Sequence, residues 1–304
     1  MSLLPCMTRI TGPRDAGPLS PLDPRTSAWR PGLADIALAD RVSVSHYAVP
    51  VLRMVTARSA PLLVAPEPDA EMASELLHGE CFAVLEEERG FAWGQARDDG
   101  YVGYLPASAL GPVEPVVAGT AEARVGPSDA LLFDAPALKA PAPVTLPALS
   151  RLVVGEETGD FLAVAAGPHR GRYVHRRHLL GPDRPADPVA IAHGFLGSPY
   201  RWGGRTRAGI DCSGLVQLAL RLAGRPARRD SDMLFADAGP EVAPAARARG
   251  DLAWWPGHVG LLVDPETILH ANAHWMAVVT EPLVDVEARI GAAPRCRRLA
   301  PAAA

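Results

Sequence analysis

A cysteine that follows a glycine-rich loop is the residue of this chain best suited to nucleophilic chemistry. Cys212 lies in the segment GIDCSGLVQ, where the loop runs into an apolar periodic stretch that predicts a helix. Asp211 is a favoured helix N-cap residue, which would place Cys212 in the first turn. A thiol there lies at the positive end of the helix dipole, which favours the nucleophilic thiolate. We therefore predict that Cys212 is a nucleophile, although a lone cysteine is more often a small buried hydrophobe.

Two histidines downstream could supply the base that a cysteine nucleophile needs. His258 opens one strand-like run and His270 lies in the next, twelve residues later. Adjacent antiparallel strands would place the imidazoles side by side, so that His258 takes the thiol proton and His270 holds its ring. The spacing alone leaves two unrelated histidines as an equal alternative. His274 forms H-x-x-x-H with His270, but no glutamate follows His270 as in zinc peptidases, so we predict no metal and no cofactor.

Composition excludes several classes of protein. The chain has 304 residues and a formal net charge of −4, which argues against nucleic-acid binding. Its single lysine, Lys139, does not lie in a G-x-x-x-x-G-K-[ST] motif, which rules out a P-loop. The four cysteines are scattered, so neither a disulfide framework nor a thiolate zinc site is expected. The first residues lack a signal-peptide pattern, and no apolar run approaches the roughly 18 residues of a membrane span. We expect a cytoplasmic protein without a membrane partner.

The pattern along the chain changes twice, after the N-terminal segment and after the second of two similar regions. Residues 1–45 are rich in Pro, Gly, Ser and Arg and predict an extension that wraps the body, with a turn at Asp23-Pro24-Arg25. Residues 46–112 alternate with period two between turn signals, which predicts a small antiparallel barrel, and residues 113–182 repeat that design weakly.

The rest of the chain differs in kind. After a linker, DRPADP at 183–188, residues 186–304 give helical segments and then strand-like runs. The predicted fold class is therefore α+β, with a C-terminal catalytic domain preceded by two small β-barrels.

The C-terminal motifs resemble the NlpC/P60 family of papain-like cysteine peptidases of bacterial cell-wall metabolism. The resemblance is carried, in order, by YRWGG (200–204), GIDCSGLVQ (209–217), RDS (229–231), GDL (250–252), GHVG (257–260) and LHAN (269–272). The upstream part resembles the two bacterial SH3-like barrels found in one branch of the family. That branch cleaves the amide between γ-D-glutamate and the diamino acid of peptidoglycan stem peptides and prefers a free N-terminal L-alanine. The implied partners are thus peptidoglycan-derived peptides.

The resemblance assigns roles to residues near the nucleophile. It implies Cys212 as the nucleophile, His258 as the base and His270 as the third polar group. Tyr200 matches a tyrosine that reaches the nucleophile and the oxyanion region.

Further residues match the substrate pocket. Asp211, Ser213 and Ser231 match positions that line the pocket for D-glutamate, and Trp202 belongs to the same substrate-binding set. Leu234 departs from the family pattern, because relatives often carry a glutamine there, which leaves the outer wall of the pocket open.

A second pocket would bind the free amine of the substrate. Asp230 matches an acid that binds this amine, and the resemblance implies that a barrel adds a tyrosine and a glutamate. Tyr101 is the candidate for the first and Glu71 for the second, with Glu67 as the alternative. Buried acids would neutralise an α-ammonium and reject an acylated N-terminus, which leaves them unpaired.

These features predict a cytoplasmic enzyme that recycles released peptides, since the lactyl group of intact peptidoglycan blocks the L-alanine amine. Two rivals remain: a non-catalytic module that binds cell-wall peptides, and an acyltransferase on the same fold. The oligomeric state is not predicted.

Overall fold

The protein divides into two compact units, Met1–Val113 and Glu114–Ala304. The computed structural model describes residues 17–18, 22–181 and 187–299. Cys6 and most of the predicted linker, residues 183–186, lie outside the described residues. Among the residues described, no helix combines the length and the apolar character needed to cross a membrane.

Short strands occupy the N-terminal segment of the first unit. They are β1 (Gly17–Pro18), β2 (Trp29–Arg30), β3 (Leu33–Asp35), β4 (Val42–Ser43) and β5 (His46–Ala48). Strands β2, β3 and β5 form one sheet, and β1 pairs with β4. A 3₁₀ helix, Ile36–Leu38, follows β3 directly. The turn predicted at Asp23-Pro24-Arg25 is present, and Arg25 donates to the Asp23 carboxylate at 2.7 Å.

This segment packs on the barrel that follows it. Ala28 is buried against Leu85 and Trp93, and the Arg30 guanidinium lies 4.7 Å from the centre of the Trp93 ring. Arg30 also pairs with Glu86. A cation over an aromatic face is favourable, so the contact helps to hold the segment in place.

The first barrel is a seven-stranded antiparallel sheet. Its strands are β6 (Val51–Val55), β7 (Ser59–Leu63), β8 (Met72–Leu77), β9 (Cys81–Glu88), β10 (Phe91–Ala96), β11 (Val102–Pro106) and β12 (Leu110–Gly111). A 3₁₀ helix, Ala107–Ala109, joins the last two. The strand order is β12-β6-β9-β10-β11-β7-β8.

The second barrel has the same strand order. Its strands are β13 (Ala121–Arg124), β14 (Ala130–Phe133), β15 (Val144–Leu146), β16 (Arg151–Thr158), β17 (Phe161–Val164) and β18 (Tyr173–His175). They lie in the order β13-β16-β17-β18-β14-β15, which is the order of β6 to β11 in the first barrel. A 3₁₀ helix, Arg176–His178, again follows the last strand. The weak sequence repeat therefore corresponds to a structural repeat.

The remainder of the second unit combines four helices with a second six-stranded sheet. Its elements are α1 (Pro188–His193), β19 (Arg205–Thr206), β20 (Gly209–Ile210), α2 (Cys212–Leu222), α3 (Ser231–Asp237), β21 (Glu241–Val242), a 3₁₀ helix (Pro244–Ala246), β22 (Leu252–Trp255), β23 (His258–Asp264), β24 (Thr267–Asn272), β25 (Ala277–Pro282), α4 (Leu283–Ile290) and β26 (Arg295–Arg297). The sheet has the order β21-β26-β22-β23-β24-β25, and its pairs are antiparallel. The predicted α+β class is confirmed.

Helix α2 joins the nucleophile to this sheet. Leu215, Leu218, Ala219 and Leu222 are fully buried on its apolar face, as their spacing predicts. The helix packs against β23 and β24, the strands that carry the two predicted histidines.

Candidate active site

Asp211 caps helix α2 and fixes its first turn. One carboxylate oxygen accepts from the Gly214 N–H at 2.6 Å, and the other accepts from the Gly203 N–H at 2.8 Å. A Cβ at Gly214 would lie only 2.4 Å from the Gly204 carbonyl oxygen, so the approach of the loop to the helix requires glycine there. Cys212 is the first residue of the helix, which confirms the placement predicted from the sequence.

A buried arginine completes this arrangement. Arg229 donates to both Asp211 carboxylate oxygens, at 3.0 and 2.6 Å, and to the Ser213 hydroxyl at 2.7 Å. The Arg229 and Asp211 side chains are 1% and 8% exposed. Both Asp211 and Ser213 thus bond to Arg229, and their predicted place in a D-glutamate pocket stays a prediction.

The Cys212 thiol is protonated in this environment. Burial, followed by the nearby Asp211 carboxylate, raises the pKa of Cys212 to about 12, although hydrogen bonds from the Val259 and Ser213 backbone lower it. The thiolate expected at the helix N-terminus is therefore not the form of Cys212 in the substrate-free protein. Desolvation of a buried anion outweighs the stabilising effect of the helix end.

Tyr200 lies beside the nucleophile. Its N–H donates to the carbonyl of Met276, just before β25, at 2.9 Å, and it forms a parallel bridge with Ile210 of β20, so its backbone joins the start of β25 to β20. Burial, with Cys212 and Asp211 close by, raises the pKa of Tyr200 to about 12. The phenol therefore keeps its proton and can act as a hydrogen-bond donor near Cys212.

The two predicted histidines lie side by side on β23 and β24. His258 Nε2 is 2.8 Å from His270 Nδ1, which confirms the arrangement predicted from their spacing. A Cβ at Gly260, on β23, would lie 2.7 Å from the Ile268 side chain and 2.9 Å from the His270 Cβ, so the close approach of β24 requires glycine there. Burial, with His270 as the next cause, lowers the pKa of His258 to about 3, so the imidazole is neutral.

A carboxylate that the sequence analysis missed lies behind His270. The Glu281 Oε1 atom is 2.7 Å from His270 Nε2 and 2.6 Å from an Arg289 nitrogen. Asn272 and Trp275 also reach this group, at 3.3 and 3.2 Å. A glutamate inside the strand-like run AVVTEP was the available signal, because a buried carboxylate needs a partner.

The other predicted residues lie elsewhere in the two units. Asp230 occupies the N-cap position of α3, and Ser231 is the first residue of that helix; both are partly buried. Trp202 is 58% exposed, whereas Leu234 is buried within α3.

Tyr101 and Glu71 belong to the first unit. Tyr101 is buried just before β11, and Glu71 is exposed before β8, as is the alternative Glu67. Their part in an amine pocket stays a prediction. In the described part of the chain, no group of three or more His, Cys, Asp or Glu side chains could hold a metal ion.

Comparison with known proteins agrees with this geometry. Residues 197–285 match the NlpC/P60 family, and residues 62–110 match the bacterial dipeptidyl-peptidase SH3 domain. The chain is 37% identical over 84 residues to dipeptidyl-peptidase 6 of Lysinibacillus sphaericus, covering 28% of this chain and 31% of that protein. It is 33% identical over 106 residues to a probable endopeptidase of Mycobacterium tuberculosis, covering 34% and 27%. The chain thus spans less than a third of the length of these relatives.

A solved structure extends the likeness over most of the fold. An NlpC/P60 family protein from Bacillus cereus superposes with a TM-score of 0.70 at 18% identity, covering 83% of this chain and 100% of that one. At this identity the match shows a shared fold. The chain therefore carries an NlpC/P60 domain at residues 197–285, preceded by a bacterial SH3 domain at residues 62–110.

Proposed function

We propose that this protein is a cysteine endopeptidase that hydrolyses the amide between γ-D-glutamate and the diamino acid of peptidoglycan stem peptides. The observation that carries the proposal is the Cys212 thiol at the start of α2, hydrogen-bonded to the backbone of Val259 beside the His258–His270 pair. The names of the relatives, a dipeptidyl-peptidase and a probable endopeptidase, support peptide hydrolysis. The particular bond rests on the sequence motifs.

The reaction begins with a neutral thiol and a neutral imidazole. His258 Nε2 is engaged by His270, so Nδ1 is the nitrogen left to take the Cys212 proton. The pKa of Cys212 is raised to about 12 and that of His258 is lowered to about 3, so proton transfer accompanies attack instead of preceding it. The sulfur then bonds to the γ-carbonyl carbon, and the carbonyl oxygen takes the negative charge.

Donors near Cys212 would stabilise that oxygen. The backbone N–H of Cys212 is in the first turn of α2, where N–H groups have no partner within the helix. The Tyr200 phenol, which keeps its proton, supplies a second donor.

The imidazolium then completes the reaction. His258 gives its proton to the nitrogen of the leaving diamino acid, which leaves the γ-glutamyl group as a thioester on Cys212. The neutral imidazole next takes a proton from water, which attacks the thioester and releases the γ-carboxylate product with the thiol regenerated.

Selection of a free N-terminal amine is the finer part of the proposal. Asp230 would bind the L-alanine ammonium by a charge-assisted hydrogen bond, and the part of Tyr101 and of Glu71 or Glu67 in binding this amine stays a prediction. An acylated amine carries no charge to pair with a carboxylate and adds bulk where the ammonium would bind, so it is rejected. Such an enzyme would act on released peptides, which fits a recycling role and the cytoplasmic location expected from the sequence.

Mass spectrometry tests the bond and the amine requirement together. The full chain is incubated with L-Ala-γ-D-Glu-diamino acid peptides carrying either meso-diaminopimelate or L-lysine, and with their N-acetylated forms. We expect L-Ala-D-Glu and the free diamino acid from the unblocked peptides only. Cleavage at another bond, or equal cleavage of acetylated peptides, would contradict the proposal. Tight binding without cleavage would favour the rival function, a non-catalytic module that binds cell-wall peptides.

A further inference from the structure

The carboxylate of Glu281 has five nitrogen atoms from four residues within hydrogen-bonding distance, and only the role of the His270 nitrogen depends on a tautomer. Oε1 lies 2.6 Å from one Arg289 nitrogen, 2.7 Å from His270 Nε2 and 3.3 Å from Asn272 Nδ2. Oε2 lies 3.1 Å from the other Arg289 nitrogen and 3.2 Å from Trp275 Nε1. The side chain of Glu281 is 9% exposed, so these neighbours replace most of its water.

This surrounding keeps Glu281 ionised. Burial alone would raise its pKa, but the hydrogen bonds from Arg289, Trp275 and His270 hold the pKa of Glu281 below its usual range. A carboxylate in this state accepts hydrogen bonds and cannot donate one.

An ionised Glu281 determines where the protons lie on both histidines. Since Oε1 only accepts, the short contact with His270 requires a proton on His270 Nε2, which leaves Nδ1 with a lone pair. That lone pair accepts from His258 Nε2 at 2.8 Å. The proton of neutral His258 is then on Nε2, and its Nδ1 is free to act as a base.

A hydrogen bond from Asn272 to His270 would favour the opposite tautomers of the two histidines. Its Nδ2 atom lies 2.8 Å from His270 Nε2, and its Oδ1 accepts from the Trp275 N–H, which fixes the orientation of the amide. If Nδ2 donated to His270, both imidazoles would hold their protons on Nδ1, and His258 would present an N–H to Cys212. Glu281 removes this conflict because its Oε1 is within reach of both the His270 N–H and the Asn272 N–H.

We propose that Glu281 is a positioning residue that acts through His270 to keep the His258 proton on Nε2 and leave Nδ1 free for the Cys212 proton. The proposal rests on the cysteine-peptidase function proposed above. Glu281 does not touch the reacting atoms, and its effect passes through one imidazole.

Glu281→Gln tests this with almost no change of shape. The new amide NH₂ must face donor groups, and among the four neighbouring residues only His270 can turn from donor into acceptor, by moving its proton to Nδ1. We therefore expect both tautomers to reverse in this variant. Glu241→Gln is the matched control, because Glu241 lies on β21 of the same sheet, pairs with Arg295 and Arg297, and is exposed.

The primary readout is two-bond proton–nitrogen correlation spectroscopy of the full chain with ¹⁵N-labelled histidine, assigned with His258→Gln and His270→Gln. In the native protein and in Glu241→Gln, we expect both rings to be protonated on Nε2. In Glu281→Gln we expect both on Nδ1, with kcat reduced about 10²-fold or more and KM little changed.

Several results would overturn the proposal. A native protein in which His270 is protonated on Nδ1 would overturn it. This measurement uses no variant, so it tests the proposal even when the Glu281→Gln protein fails to fold. Unchanged tautomers in Glu281→Gln, or reversed tautomers with undiminished kcat, are others. A native protein with the expected tautomers but no hydrolysis of any stem peptide would instead refute the proposed function, since the spectra do not depend on turnover.

Discussion

Two arginine–carboxylate pairs lie on the two sides of the candidate active site, one on the helix side and one on the sheet side. Arg229 donates two hydrogen bonds to Asp211, and Arg289 donates two to Glu281, with shortest distances of 2.6 Å in both. The first pair is 1% and 8% exposed, whereas Arg289 in the second is 28% exposed. The second carboxylate also contacts the ring of His270.

The difference lies in what the partners can do. Asp211 bonds to backbone N–H groups of Gly203 and Gly214 and to Arg229, none of which changes its protonation near neutral pH. Glu281 bonds to an imidazole, which has two neutral tautomers. One carboxylate therefore fixes the position of a backbone, and the other fixes the position of a proton.

Loss of the nucleophile gives the largest expected effect on the helix side. Cys212→Ala should abolish hydrolysis of the unblocked peptide while circular dichroism and the unfolding midpoint stay close to those of the native protein. Cys81→Ala, which removes a thiol on β9 of the first barrel, is the control and should retain full activity. Full activity of Cys212→Ala would end the peptidase assignment.

Loss of the base comes next, on the sheet side. His258→Ala should reduce kcat/KM by about 10²–10⁴-fold, the usual contribution of a positioned base. His274→Ala is the control, because His274 is exposed and its one ring contact in the described part of the chain is a T-shaped contact with Trp275. A His258→Ala protein whose kcat/KM stays within about threefold of the native value would show that His258 is not the base.

The two ion pairs should differ in their effect on stability. Arg229→Met leaves the Asp211 carboxylate buried without its cation and should lower the free energy of unfolding by about 3–5 kcal/mol. Arg289→Met removes a more exposed cation and should cost less, about 1.5–3 kcal/mol. Urea unfolding of both variants measures the difference, and an equal or reversed order would contradict the contrast between the pairs.

The smallest expected effect concerns the rate at which Cys212 is alkylated in the absence of substrate. Only the thiolate reacts with iodoacetamide, and the pKa of Cys212 is raised to about 12 by burial and Asp211. Below that pKa the thiolate fraction rises about tenfold per pH unit, so alkylation of Cys212 should still be accelerating between pH 8 and 10. Mass spectrometry of the Cys212 peptide follows the rate, with the urea-unfolded chain as reference. A plateau of the alkylation rate near neutral pH would show that the helix end lowers the pKa of Cys212 by more than burial raises it.

The helix side of the site is more predictable from sequence than the sheet side. Asp211 as the cap and Cys212 in the first turn follow from neighbouring residues, because helix capping is a local property. The His258–His270 contact also follows, since a hairpin brings successive strands together. The pKa direction of Cys212 did not follow, because burial by residues distant in sequence decides it.

Glu281 and Arg289 could not be found in the same way. Their meeting with His270 depends on the register of β25 against β24, which pairs Ile268 with Glu281, and on α4 folding back over that strand. Arg229 was visible as part of the RDS motif, but its burial against Asp211 needs the loop between α2 and α3 in place. Contacts between distant segments of the chain set these positions.

The central claim is that the thiol on the helix and the imidazole on the sheet act as one catalytic unit. Residual hydrolysis of the unblocked peptide, followed by mass spectrometry over long incubations, is compared for Cys212→Ala, His258→Ala and the double variant. Groups that act as a unit are strongly non-additive, so the double variant should be no slower than the slower single variant. A double variant whose loss equals the product of the two single losses would contradict the claim.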